Sequence, residues 1–342
     1  MPEKPPAAPP PEGALLQMIT GKWVTKAIGV VARYDIATML KDGPRNCHEL
    51  AIQADVHPSA LYRVLRALAS IGVFTETEPR HFALTPIGEL LRSDRPDSMR
   101  DFAIMVNDDW HWQTWGAFDE VVRTGETAVS GVLGYDNIFD FFADEREPGE
   151  RFDAAMTSLT AALVAAVSKA YDFSGIKRIV DIGGGHGGLL TAILNSHPDL
   201  HGVVFDLPHV VAGAHEALAK AGLAARCDAV GGDFFESVPG GADAYIMSHI
   251  IHDWDDERSI TILSNIHHAM EPGGRVLVVD CVIPLGNEPH PGKWLDLEML
   301  TLPGGMERTE AEFRSLFEAA GFHLERIVPT ESPECIVEGK RI

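Results

Sequence analysis

The stretch VDIGGGHGG, Val180 to Gly188, constrains this chain more than any other. Apolar residues lead into it and the helix-forming run LLTAIL follows, so it reads as a glycine turn between a strand and a helix. That sequence of elements opens a Rossmann-like βαβ unit. The apolar runs HGVVFDL, ADAYIMSHI and RVLVVD follow, bounded by Gly, Asp or Pro and separated by helical stretches. We therefore expect an α/β fold, a doubly wound parallel sheet, over residues 171–342.

Gly183, Gly185 and Gly188 satisfy GxGxxG, which taken alone suggests a dinucleotide and an NAD-dependent oxidoreductase. Asp181 argues against that reading. A carboxylate there would repel a pyrophosphate and attract an amino group, and S-adenosylmethionine has the amino group and no phosphate. Asp206 ends the next strand, where an acidic side chain can bind ribose hydroxyls, with Leu207 next to it. Asp233 and Phe234, in GGDFF, suit an adenine amino group and ring face.

Ligands of open α/β sheets bind outside the carboxyl ends of the strands. AYIMSHIIHDWDDE puts His252 and Asp253 just past one such end, with Asp255 or Asp256 as a helix cap, and RVLVVDCVI puts Asp280 at the next. Glu307 follows a Gly-Gly turn and precedes a helix whose capping box would pair Thr309 with Glu312. His252 suits a general base. A phenol titrates near pH ~10 and imidazole near ~6.5, a gap of roughly 5 kcal/mol, so proton transfer should be concerted with attack on a methyl group. Asp280 or Glu307 on the other imidazole nitrogen would fix its tautomer. His249, His267 and His268 read as wall or surface residues, and His186 as a variable loop position.

A chain of 342 residues suits two domains. CHELAIQADVHPSALYRVLRALASIGVF reads as helix, turn and helix, with Pro58 in a first turn and Leu61, Val64, Leu65 and Leu68 as the apolar stripe. TETEPRHFALTPIG adds a hairpin turning near Glu78 and Pro79, which completes a winged-helix outline over residues 14–98. Residues 99–170 read as helical, with Trp110, Trp112 and Trp115 as either a substrate wall or core. Residues 1–13, rich in Pro and Ala without an apolar signal core, read as a disordered leader, and the cytoplasm is the expected location. With 28 basic and 50 acidic residues the formal charge is −22, which repels phosphate backbones. A DNA-binding regulator, which the helix–turn–helix invites, is thereby disfavoured. No apolar run reaches the roughly 20 residues of a membrane span. The scattered Cys47, Cys227, Cys281 and Cys335 fit reduced thiols and give no zinc site.

The motifs VDIGGGHG, FDLPHV, GGDFFESVP, HDWDD and GGMERTEAEFRSLFEAAGF together resemble the winged-helix-dimerised O-methyltransferases. These include plant caffeate and isoflavone enzymes and bacterial natural-product enzymes, and the resemblance runs from about Leu15 to the end. It implies a homodimer whose N-terminal domain covers the partner's pocket, S-adenosylmethionine as donor with S-adenosylhomocysteine as product, and no metal. It puts Gly183 and Gly185 in the donor loop, Asp206 on ribose, Asp233 and Phe234 at adenine, and His252 as the base flanked by Asp280 and Glu307. Met156, in RFDAAM, matches a pocket-lining position. Ser248 stands where plant members often carry a donor-contacting lysine. Trp110, Phe139, Met156, Asp253 and Met299 are the expected acceptor contacts, and they point to an apolar, aromatic, hydroxylated small molecule. Some members of the family perform hydroxylation, decarboxylation or pericyclic chemistry instead, and the sequence does not choose the acceptor.

Overall fold

The computed structural model describes residues 10–342, with residues 161 and 162 described by their backbone alone. Residues 1–9 of the expected leader lie outside the described residues, whereas residues 11–13 belong to a helix, Pro11–Ile19. Proline favours that position because its missing N–H would have no helical partner there.

The same preference sets Pro58 at the start of the Pro58–Ala69 helix, where the His57 ring accepts the Ala60 N–H at 3.4 Å. Leu61, Leu65 and Leu68 are buried, Val64 half-buried, and Arg63 and Arg66 exposed. The Cys47–Gln53 helix packs beside it. Strands β1 (Arg45–Asn46), β2 (Phe74–Glu78) and β3 (His81–Leu84) make an antiparallel sheet in the order β1-β3-β2, and the β2–β3 turn passes through Arg80 at φ +64°. Val31, Ile36, Leu50, Leu65, Phe74 and Phe82 share the core beneath it. This is the expected winged helix.

Downstream, β4 (Arg178–Ile182), β5 (His201–Asp206), β6 (Cys227–Gly231), β7 (Ala244–Ser248), β8 (Arg275–Cys281), β9 (Phe322–Pro329) and β10 (Glu334–Arg341) form one sheet in the order β6-β5-β4-β7-β8-β10-β9. The five strands β4 to β8 are parallel. β10 runs antiparallel to both β8 and β9, so the sheet is mixed rather than wholly parallel. Helices cover both faces: Ile179, Val204, Ile246 and Leu277 belong to one apolar layer, Val180, Val203, Tyr245 and Val276 to the other. Burial on both faces explains why the central strands read as unbroken apolar runs. β9, an edge strand with several exposed residues, lacks that signature. From β4 the chain builds outward to β5 and β6, then returns to place β7 and β8 on the other side. That reversal opens a crevice at the carboxyl ends of β4 and β7.

The chain groups into two compact units, one running up to Trp112 with Arg146–Leu159, the other Gln113–Glu145 with Thr160–Ile342. The stretch 99–170 is therefore shared between them. Among the described residues no helix is long and apolar enough to cross a membrane.

Candidate active site

The loop after β4 is shaped by glycine. Gly183, Gly185 and Gly187 take φ of +67°, +56° and +79°, and a Cβ on Gly183 would lie 2.3 Å from Ile250 Cδ1. The N–H groups of Gly183 and Gly184 donate to Phe205 O at 2.8 and 3.3 Å, that of Gly187 to Gly184 O at 2.8 Å, and that of Gly185 to Asp206 Oδ2 at 2.8 Å. These donors turn inward, so they are not available to cradle a pyrophosphate as a dinucleotide loop does. Asp206 also accepts the Leu207 N–H at 2.7 Å; burial pushes its carboxyl up, and the two backbone donors offset part of the rise.

Asp181 lies under this loop, 2% exposed, with its carboxyl carbon 2.8 Å from where a Gly184 Cβ would stand. Its Oδ2 has no hydrogen-bond partner among the described residues. Burial, and then the charge of Asp206, push Asp181 up to about 8. An orphaned, buried carboxyl oxygen beneath a phosphate-averse loop fits a ligand that carries an ammonium group, as S-adenosylmethionine does. Asp233 accepts the Phe235 N–H at 2.8 Å, and the Phe234 ring lies 4.9 Å from Phe235 and 6.2 Å from Trp254. Leu207 is exposed, and Ser248 ends β7 half-buried.

Past β7, a short 3-10 turn, Ile251–Asp253, carries His252, which is 6% exposed. Its Nδ1 lies 2.7 Å from Glu307 Oε1, and its Nε2 lies 3.6 Å from Asp253 Oδ1. Glu307 reaches it through the Gly304-Gly305 turn. A Cβ on Gly305 would stand 2.0 Å from His252 O and 2.3 Å from Asp253 C, so the two backbones meet only because that side chain is absent. Asp280, fully buried, accepts the His249 N–H at 3.0 Å, and its Oδ2 has no partner among the described residues. Of the two carboxylates left open by the sequence, Glu307 thus meets the imidazole and Asp280 holds the strand end. Burial is the largest influence on each neighbouring carboxyl, pushing Glu307 up to about 8, Asp253 to about 7 and Asp280 to about 6.

Two participants escaped the sequence reading. Arg308, 1% exposed, donates to Ile251 O at 3.0 Å, to Trp254 O at 2.9 Å and to Asp256 at 2.8 Å, clamping both sides of His252. The only hint was a charged residue wedged between Glu307 and the capping Thr309. His249, read as a wall residue, adopts φ +55° and brings its ring 5.2 Å from that of His252. Asp255 caps the Asp256–Ala269 helix, and the Thr309–Glu312 capping box is present, as expected.

Phe139 packs 5.6 Å from the Trp254 ring, and Met299 is buried in the Gly292–Thr301 helix. These two and Asp253 belong to the second unit, Trp110 and Met156 to the first. Trp112 lies in the first unit with Lys26 Nζ 4.5 Å above its ring, while Trp115, in the second, donates to Glu298 at 2.6 Å and stacks on Phe118.

The O-methyltransferase domain family matches residues 115–323, and the O-methyltransferase dimerisation domain family matches residues 16–94. The chain is 48% identical to the phenazine O-methyltransferase PhzM of Lysobacter antibioticus, covering 98% of each sequence. It is 36% identical to a mitomycin biosynthesis 6-O-methyltransferase of Streptomyces lavendulae, covering 96% of this chain and 95% of that one. Among solved structures, CalO1, a methyltransferase in calicheamicin biosynthesis in its SAH-bound form, matches with a TM-score of 0.87 at 36% identity, covering 97% of this chain and 98% of that one. With its glycine loop, dimerisation domain and whole-length likeness to these enzymes, the chain belongs to the winged-helix-dimerised, S-adenosylmethionine-dependent O-methyltransferases of natural-product biosynthesis.

Proposed function

We propose that this enzyme methylates a hydroxyl of a small aromatic acceptor and that His252 is the general base. The observation that carries the reading is the 2.7 Å contact between His252 Nδ1 and Glu307 Oε1, buried at the carboxyl end of the sheet. S-adenosylmethionine, when bound, supplies an electrophilic methyl group on a positively charged sulfur. Asp181 would hold its ammonium group, Asp206 its ribose hydroxyls through lone pairs not used by Gly185 and Leu207, and Asp233 with Phe234 its adenine. Gly183 and Gly185 bend the backbone around it, with Leu207 and Ser248 alongside.

The His252–Glu307 couple works as base when it carries a single proton, on Nδ1 and shared with Glu307. Nε2 then offers a lone pair. An acceptor hydroxyl at Nε2 would pass its proton to that nitrogen as its oxygen takes the methyl group from sulfur, whose carbon–sulfur bond breaks to leave S-adenosylhomocysteine, and the Glu307 carboxylate would steady the imidazolium that results. Asp280 and Arg308 act as positioning residues, one holding the strand end and the other the turn. Phe139 and Met299 supply apolar contact with the acceptor ring, and Asp253 a polar one. The 48% identical relative is named for phenazines, so a hydroxyphenazine is the first acceptor to test.

The test is His252→Gln with that acceptor. Turnover should fall about a thousandfold, within the range for removal of a general base, while affinity for S-adenosylhomocysteine stays the same. Turnover close to wild type would remove His252 from the chemistry.

A further inference from the structure

His249 has no part in the proton transfer assigned to His252, yet the backbone bends to present it. Its φ of +55° is one that a residue with a Cβ enters only at a cost, and such outliers gather where function requires them. The bend is anchored by its N–H, 3.2 Å from Val279 O and 3.0 Å from Asp280 Oδ1. It turns the ring to 5.2 Å from that of His252, at 36° between planes. The His249 side chain is 26% exposed against 7% for His252, so it is the more accessible of the two.

The partners of the ring decide what it can offer. Nε2 stands 3.4 Å from Glu334 Oε1 on β10, and Nδ1 stands 3.4 Å from Ser248 Oγ. Carboxyl groups surround it: Glu334 from β10, Asp280 from β8, Glu307 and Asp253 from the loops beside His252. Burial pulls the imidazole down, but the Glu334 hydrogen bond and the charges of Asp280, Glu334 and Glu307 outweigh it, so the net direction is up. Burial likewise raises Glu334, but hydrogen bonds from His249 and Ser332 and the His249 charge bring it down to about 2. A ring whose Nε2 faces a carboxylate is disposed to hold a proton on each nitrogen, and a doubly protonated ring donates from both. Both contacts, at 3.4 Å, are longer than the 2.7–3.2 Å of an ordinary N–H···O bond, and at Nδ1 the rotatable Ser248 hydroxyl is the partner that an acceptor atom of a bound ligand would replace.

We propose that His249, held by Glu334, is a specificity residue whose Nδ1–H donates to a hydrogen-bond-accepting atom flanking the reacting hydroxyl. The acceptor class is then an aromatic hydroxyl with a ring nitrogen or carboxylate oxygen in the ortho or peri position. The inference rests on the reading that the hydroxyl stands at His252, because only then does a flanking atom come beside the second ring.

The test compares two ligands of one shape, 1-hydroxyphenazine, with a ring nitrogen peri to its hydroxyl, and 1-hydroxyanthracene, which lacks it. Binding of each is titrated at equilibrium with S-adenosylhomocysteine present, for wild type, His249→Asn and Glu334→Gln. Asparagine tolerates the left-handed backbone, so the bend should persist. His249→Asn should weaken hydroxyphenazine binding about tenfold or more and change hydroxyanthracene binding less than about twofold, because a charge-assisted hydrogen bond is lost from one ligand only. Glu334→Gln should move the same ratio in the same direction. An unchanged ratio in both variants, or an equal loss for both ligands, would overturn the proposal. Proton transfer plays no part in these titrations, so a His252→Gln enzyme that still turned over would defeat the base assignment separately.

Discussion

At the ends of β4 and β5, carboxylates meet backbone N–H groups of nearby chain: Asp206 is held by Gly185, 21 positions away, and by its neighbour Leu207. At the ends of β7 and β8, side chains meet side chains from far off, His252 with Glu307 across 55 positions and His249 with Glu334 across 85. The glycine-loop corner is local, backbone-shaped and leaves one carboxyl oxygen, on Asp181, without a hydrogen-bond partner among the described residues. The His252 corner is long-range, dense in ionisable groups, and joined where Gly305 lets two backbones touch. A local corner depends on conformational freedom at a few glycines, whereas a long-range corner depends on how two separate segments align. Reactivity is sensitive to alignment in a way that binding is not, since a displacement of about 1 Å can cost roughly a hundredfold in rate.

That contrast can be broken most severely at Gly305. Gly305→Ala drives a methyl into the His252 carbonyl and should separate Glu307 from the imidazole. Turnover should drop about a hundredfold or more while S-adenosylhomocysteine still binds with near wild-type affinity, read by steady-state kinetics beside calorimetric titration. Equal losses in both would mean that the two corners are not separable.

Asp181→Asn tests the other corner with an effect on donor affinity of about tenfold, the loss of a charge-assisted contact, and with little change in the rate at saturation. It also carries a stability signature. The folded carboxyl holds its proton up to about pH 8. The unfolded one holds it only to about pH 4. Between those values the native state binds more protons, so its contribution to the stability of the ligand-free enzyme is full below pH ~4, declines as pH rises and is lost above pH ~8. The ligand-free wild type should therefore melt lower at pH 8 than at pH 5, and the Asn variant should flatten that slope. A slope unchanged in the variant would show that Asp181 is not its source.

The smallest effect is expected at the capping box. Thr309→Ala should cost about 1 kcal/mol, a few degrees of melting temperature, with turnover per folded molecule intact. A loss of rate larger than the loss of stability would place this cap in the alignment of Glu307 after all.

The same division governs what could be read in advance. The winged helix was legible through Pro58 and the 3.6-residue stripe of Leu61, Leu65 and Leu68, and the donor loop through Asp181, its glycines and Asp206, because each signal lies within a few turns of chain. The β9–β10 hairpin was not, since β9 is an edge strand without a continuous apolar run. Asp280 and Glu307 were both visible as candidates, but nothing in their positions said which would face the imidazole.

By itself the sequence determined the fold class, the family and the donor, and it singled out His252 as a candidate, because periodicity, turn chemistry and short spacings act over local stretches of chain. Only the tertiary structure decided that Glu307 rather than Asp280 pairs with His252, that Arg308 locks the turn, and that His249 stands beside His252 with Glu334. Those contacts arise where β7, β8 and β10 end side by side, and strand order is set by the packing of the whole sheet rather than by any spacing along the chain.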